Sequence, residues 1–265
     1  MAEMLYYNSA CAALHFIQGI GAIIYTILNQ NANEFRVPIL THHAKWNETT
    51  GPVDATQELG LFPLAAVTCS LPFMSFLAHF IMAWSEYFGN DSTYINNINK
   101  YRNPWRWIEY AFSSTLMFFL ICLLFSIYDL STLMALAIMN ASIMFLGYIM
   151  EKDHSLQPFK FGWKPFFAAT GIALVQWGIL YSTLSTTDDR MPDLIWAVLF
   201  SYFFLFLLFP ANMAWLYWNW KSNQKEKRYI KSERIYMILS LTSKSILLWL
   251  ILFGVNQPNV YTMKE

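Results

Sequence analysis

Two ionisable side chains lie where the surrounding chain is apolar. Lys244 falls within Leu239-Ser240-Leu241-Thr242-Ser243-Lys244-Ser245-Ile246-Leu247-Leu248-Trp249, and Glu109 within Trp105-Arg106-Trp107-Ile108-Glu109-Tyr110-Ala111-Phe112-Ser113-Ser114. A charge at the centre of a membrane helix costs about 2.5–3.5 kcal/mol on insertion scales, so each needs a partner. A buried ammonium and a buried carboxylate are tolerable together. Every other acid maps to a terminus, a helix end or a loop, which makes Glu109 the natural partner of Lys244. An amine condenses with an aldehyde to give a Schiff base, and a Schiff base that stays protonated needs a carboxylate counterion. The same residues also fit a structural ion pair in a transporter core. Ser240 lies four residues before Lys244 and shares its helix face, the spacing of a Ser–Lys hydrolase. Nothing in the sequence supplies an oxyanion hole, so no enzymatic activity is expected.

Further polar and aromatic residues surround this pair in sequence terms. His15 and His79, with Ser75, fit either a hydrated polar cavity or satisfied core positions. Ser113 and Ser114 follow Glu109 by one turn and either hydrogen-bond it or bond back to their own helix. Tyr110 adjoins Glu109, while Met144, Trp177 and Phe206 either line a ligand or simply pack. Asn140, Gln176, Asp188, Asp189 and Asp193 are the further polar groups from which a water wire could be built.

The elements that must position these residues follow from composition. Of 265 residues 56% are hydrophobic and only 13% charged, about half the usual charged fraction of a soluble domain. About 20 apolar residues cross a bilayer as a helix, and seven stretches reach that length: Leu5 to Asn29, Leu61 to Tyr87, Pro104 to Tyr128, Leu130 to Met150, Gly162 to Ser185, Pro192 to Trp220 and Tyr229 to Phe253. The expected fold is an all-α bundle of seven transmembrane helices forming one domain over 1–265. Met1 to Asn8 holds no Lys or Arg, so the first stretch is read as a retained helix rather than a signal peptide. Pro104 and Pro192 suit first-turn positions, and Pro72 and Pro210 are expected to kink their helices.

Orientation follows from the basic residues in the connections. Eleven Lys and Arg fall on the side of the N-terminus and four on the other, which predicts a cytoplasmic N-terminus and an external C-terminus. The six basic residues between Lys221 and Arg234 either set this topology, meet anionic lipid or dock a cytoplasmic partner. The connection from Gln30 to Gly60 is the only long one. Its alternation of Phe35, Val37 and Ile39 and its Gly51-Pro52 turn signal predict a short external β-hairpin. His42 and His43 there are read as solvated loop histidines rather than metal ligands, and Asn47-Glu48-Thr49 is a glycosylation sequon. Cys11, Cys69 and Cys122 all lie in apolar runs, where they are expected to pack as small hydrophobes without disulfides. Balanced charge, 17 basic against 17 acidic residues, points to no nucleic-acid partner.

The run Ser-Leu-Thr-Ser-Lys-Ser ending at Ser245, with Arg-Trp-Ile-Glu-Tyr-Ala-Phe-Ser-Ser ending at Ser114, resembles the heliorhodopsin family of retinal proteins, and the resemblance spans the chain. It implies an inverted seven-helix fold, all-trans retinal on Lys244, Glu109 as counterion and histidines beside the Schiff base, a pattern that His15 and His79 match. It also implies a homodimer with the long external loop near the interface, in the plasma membrane. Against microbial retinal pumps, Ser240 stands where a second carboxylate is usual, and Leu120 stands where the internal proton donor is. Phe206 and Phe209 replace a Trp and a Tyr before Pro210. Arg106 resembles the pump arginine that tunes the counterion, although its place one turn before Glu109 also lets it snorkel to the cytoplasmic surface. A light sensor without net pumping is the expectation, and a light-gated proton conductor the alternative.

Overall fold

The computed structural model describes residues 2–88, 93–156, 162–186, 193–218, 220 and 224–255. Pro192, Asp188 and Asp189 lie outside them, as does the side chain of Asp193, so their expected roles concern residues beyond this description. Seven helices are long and apolar enough to cross a membrane. The first is α1 (Ala2–Leu28), followed by the short α2 (Gln30–Glu34). The second crossing is broken at Cys69 into α3 (Leu64–Thr68) and α4 (Ser70–Phe88). The break just precedes Pro72, whose missing N–H leaves the Thr68 carbonyl without its helical donor. A seven-residue α5 (Thr93–Asn99) leads to α6 (Pro104–Leu124), α7 (Leu130–Ser155), α8 (Lys164–Ser185), α9 (Asp193–Trp218) and α10 (Lys225–Gly254).

Local chemistry sets several of these boundaries. Asn103 caps α6, its Oδ1 accepting from the Arg106 N–H at 3.2 Å, and Pro104 occupies the first turn, where no intrahelical acceptor is lost. The same helix ends at Leu124, four residues before the expected Tyr128, because Ser126 takes a left-handed conformation (φ 62°). Helix α7 runs five residues past Met150, and α10 starts at Lys225 rather than Tyr229. Hydropathy alone misses such ends, since their last turns are polar. Pro210 sits within an unbroken α9.

The long connection is more regular than expected. Strands β1 (Val37–Asn47) and β2 (Gly51–Phe62) pair antiparallel over nearly the whole loop, with one irregularity between Ile39 and Leu40. The Asn47 side chain accepts from the Thr49 and Thr50 N–H groups at 2.9 and 3.2 Å, and Gly51 (φ 77°) completes the turn in a conformation that glycine adopts without a Cβ penalty. The hairpin is anchored at the α6–α7 junction, where the Leu40 N–H donates to the Tyr128 carbonyl at 2.9 Å and the His42 N–H to Asp129 Oδ1 at 3.3 Å. His42 and His43 are exposed, and no His/Cys/Asp/Glu cluster among the described residues has metal-binding geometry.

Around the bundle, neighbours follow the order α9, α10, α1, α4, α6, α7, α8. The ring closes where Trp177 of α8 meets Phe203 of α9 edge-on, centroids 5.0 Å apart, with Tyr202 and Phe206 beside it. Cys11, Cys69 and Cys122 are free and buried. Many large side chains remain exposed on α1, α8 and α9, Leu28, Leu174 and Phe204 among them. In a membrane these faces meet lipid, which is as apolar as they are.

Candidate functional site

Helices α6, α4 and α10 bring the expected charges together. Lys244, 3% exposed, donates from Nζ to Glu109 Oε1 and to Ser240 Oγ, both at 2.6 Å. Ser240 reaches the amine because four residues make about one helical turn. From α4, Ser75 Oγ donates to the same Glu109 oxygen at 2.7 Å. Oε1 thus accepts a charged and a neutral donor, an arrangement that fixes the carboxylate against the amine. The Tyr110 ring lies 5.3 Å from Nζ, near enough for a cation–π contact.

Beyond the pair, His15 and His79 stack with ring centroids 5.8 Å apart and 13° between planes. His79 Nδ1 bonds Asn8 Oδ1 at 2.9 Å, and Asn8 Nδ2 donates to the Tyr94 hydroxyl at 3.0 Å. Neither ring nitrogen of the buried His15 has a hydrogen-bond partner. His15, His79 and Ser75 are thus all buried beside the pair, and hydrogen bonds lead on from His79 to Asn8 and Tyr94, two residues for which the sequence carried no expectation.

Lys244 and Ser240 also open into a cavity of about 280 Å³ between α6, α7, α8, α9 and α10, close to the small end of ligand pockets. Tyr110, Ser113, Ser114, Met144, Trp177 and Phe206 all line it. Neither serine bonds Glu109. Ser114 Oγ turns back to the Tyr110 carbonyl at 2.6 Å, and the buried Ser113 Oγ has no partner. Asn140 stands behind this wall and donates to Ser114 Oγ and Thr115 Oγ1 at 2.9 and 3.2 Å. Gln176 is likewise engaged, donating to the Leu136 carbonyl at 2.9 Å. The lining suits an apolar chain that bears an aldehyde: aromatic walls, one amine, and few polar atoms besides.

Arg106 does not snorkel. It is 5% exposed and bonds Glu151 Oε1 of α7 through Nη2 at 2.6 Å, with Glu233 Oε1 of α10 at 3.2 Å from the same nitrogen. Both acids are only 1% exposed, so two acids that the sequence places near helix ends are as buried as Glu109. The burial of Glu233 was available from spacing. Tyr229, Glu233, Tyr236, Ser240 and Lys244 recur every three or four residues, and such positions share one helix face. Glu233 therefore points the same way as Lys244.

Seven apolar crossing helices, five of them walling an aromatic cavity, define a rhodopsin-like membrane protein. Residues 4–255 match the family model described as Heliorhodopsin, and the chain belongs to that family. No curated protein sequence matches it. Family and fold together make it a multi-pass integral membrane protein and a retinal-type photoreceptor.

Proposed function

We propose that this protein is a light sensor of the heliorhodopsin type that carries all-trans retinal on Lys244, with Glu109 as counterion, and moves no ions against a gradient. Bound there, retinal supplies light absorption and isomerisation, while the protein supplies the charge balance and the walls. The reading is carried by the 2.6 Å contact between Lys244 Nζ, which lines the cavity, and Glu109 Oε1. Ser75 and Ser240 hold the two groups in register. Tyr110, Met144, Trp177 and Phe206 exclude water from the apolar part, and Ser113, Ser114 and Asn140 make up the polar wall.

A proton leaving Lys244 Nζ meets Glu109 Oε1 first, with Ser240, His15 and His79 as the surrounding pocket. Ser240 and Leu120, standing where pumps place carboxyl groups, give that proton no onward carboxyl relay. It stays local, and the slow return of the helices constitutes the signal. By the excess of basic residues in its connections, the N-terminus is cytoplasmic. The hairpin then lies outside, near the interface of a homodimer in the plasma membrane, and the basic start of α10 faces a signalling partner. Illumination of cells expressing the protein is expected to leave medium pH unchanged. A sustained one-way change abolished by a protonophore contradicts this reading.

One observation favours a light-gated proton conductor instead: the hydrogen-bonded sequence His79, Asn8, Tyr94 leads away from the pair. Photocurrents whose direction reverses with the proton gradient would establish that activity.

A further inference from the structure

We propose that Glu151 and Glu233 together bind one proton beside Arg106, forming a second proton-binding centre distinct from the Lys244–Glu109 pair. The centre joins α6, α7 and α10 within the membrane-spanning bundle. Two carboxyl groups face one guanidinium there. The other titratable side chains close enough to feel the acids' charge are phenols: Tyr94 of α5, Tyr110 of α6, Tyr217 of α9, and Tyr229 and Tyr236 of α10. Among the described residues, no second cation faces the acids. Two buried carboxylates against one cation leave one negative charge uncompensated, and a buried group in that position takes up a proton instead.

The hydrogen bonds show which acid stays ionised. Glu151 Oε2 accepts from the Asn103 N–H at 2.9 Å and from Trp107 Nε1 at 2.6 Å. Its Oε1 accepts from Arg106 Nη2 at 2.6 Å and from the Tyr229 hydroxyl at 3.3 Å. Four donors suit a carboxylate. Glu233 is held less fully. Its Oε2 accepts from Asn103 Nδ2 at 2.7 Å, whereas Oε1 is buried with no hydrogen-bond donor, 3.2 Å from an Arg106 nitrogen already bonded to Glu151. Arg106 Nε and Nη1 also lack acceptors, and the guanidinium stacks on the Tyr236 ring at 3.9 Å and the Trp107 ring at 4.6 Å. Glu233, the less fully held acid, is thus the one that carries the proton. Trp107, Tyr110 and Tyr236 line the cavity as well, so its gain or loss changes the charge directly behind the cavity wall.

Infrared spectroscopy of the full-length protein without retinal tests this independently of the chromophore. Near neutral pH the wild type is expected to show the carbonyl stretch of a protonated carboxylic acid, shifting in heavy water. Glu233→Gln and Glu151→Gln should each remove one carboxyl's worth of that band, since one acid then faces one arginine. Arg106→Gln should increase it by one further carboxyl, and Glu86→Gln, changing an acid outside the centre, should leave it in place. A band that survives both acid-to-amide substitutions overturns the proposal. So does a wild-type protein without such a band, a result that requires no variant to fold.

Discussion

Arg106 and Glu109 stand one turn apart on α6, yet each is paired with a different helix: Arg106 with Glu151 of α7 and Glu109 with Lys244 of α10, both at 2.6 Å. Opposite charges at this spacing often pair with each other along the helix surface. Here they serve as separate anchors for two contacts across the bundle. Tyr110 lies between the two centres, its ring 5.3 Å from Lys244 Nζ and its hydroxyl donating to the Tyr236 carbonyl at 3.0 Å.

Removing the negative member of the inner pair leaves the cation alone. Glu109→Gln strands a buried positive charge, and breaking a buried pair in this way costs about 3–5 kcal/mol. With retinal attached, that cost is relieved by loss of the imine proton. The visible band should therefore bleach or shift at a pH where the wild type keeps it. Absorbance titration of both proteins measures the difference, and identical titrations would show that another anion serves as counterion.

Packing behind the cavity gives a prediction that does not depend on light. A Cβ on Gly147 of α7 would collide with the six-membered ring of Trp107, and the indole cannot swing freely because its Nε1 is bonded to Glu151 at 2.6 Å. Gly147→Ala should destabilise the protein by about 1–3 kcal/mol, the usual range for overpacking, although alanine is the better helix former. Thermal unfolding in detergent checks this, and an unchanged or raised melting temperature would show that Trp107 moves easily.

Asp129 caps α7 and also anchors the hairpin. Burial opposes its ionisation, but donors from the Thr132 N–H and hydroxyl and from the His42 N–H together outweigh this and hold the carboxyl below its ordinary value. Because the folded value lies below the unfolded one, about 3.9, this stabilisation is complete at neutral pH and lost as acid protonates the folded carboxyl. Asp129→Ala should cost about 0.5–2 kcal/mol, as lost N-caps do. Asp129→Asn, which keeps a cap acceptor, should recover part of that and flatten the acid limb of a melting-temperature profile.

Much of this arrangement is legible in the sequence, and the exceptions have physical causes. Apolar length identifies the seven crossings, and the isolation of Lys244 and Glu109 among apolar residues identifies the pair, because a charge in such surroundings is costly without a partner. The Arg106, Glu151 and Glu233 centre is missed because each member lies near a helix end, where a charge ordinarily reaches water. Only the alignment of Glu233 with Ser240 and Lys244 along one face reveals its direction. Polar side chains that satisfy one another, such as Asn8 with His79 and Tyr94, depend on helix neighbours that no local pattern specifies.

The proposed function requires that retinal be carried by Lys244 and by no other amine. Purified protein regenerated with all-trans retinal, reduced with borohydride and digested, should yield one retinyl-modified peptide, that containing Lys244, and Lys244→Ala should give colourless protein. A visible band that persists in Lys244→Ala, or a retinyl group found on another lysine of the wild type, would contradict it.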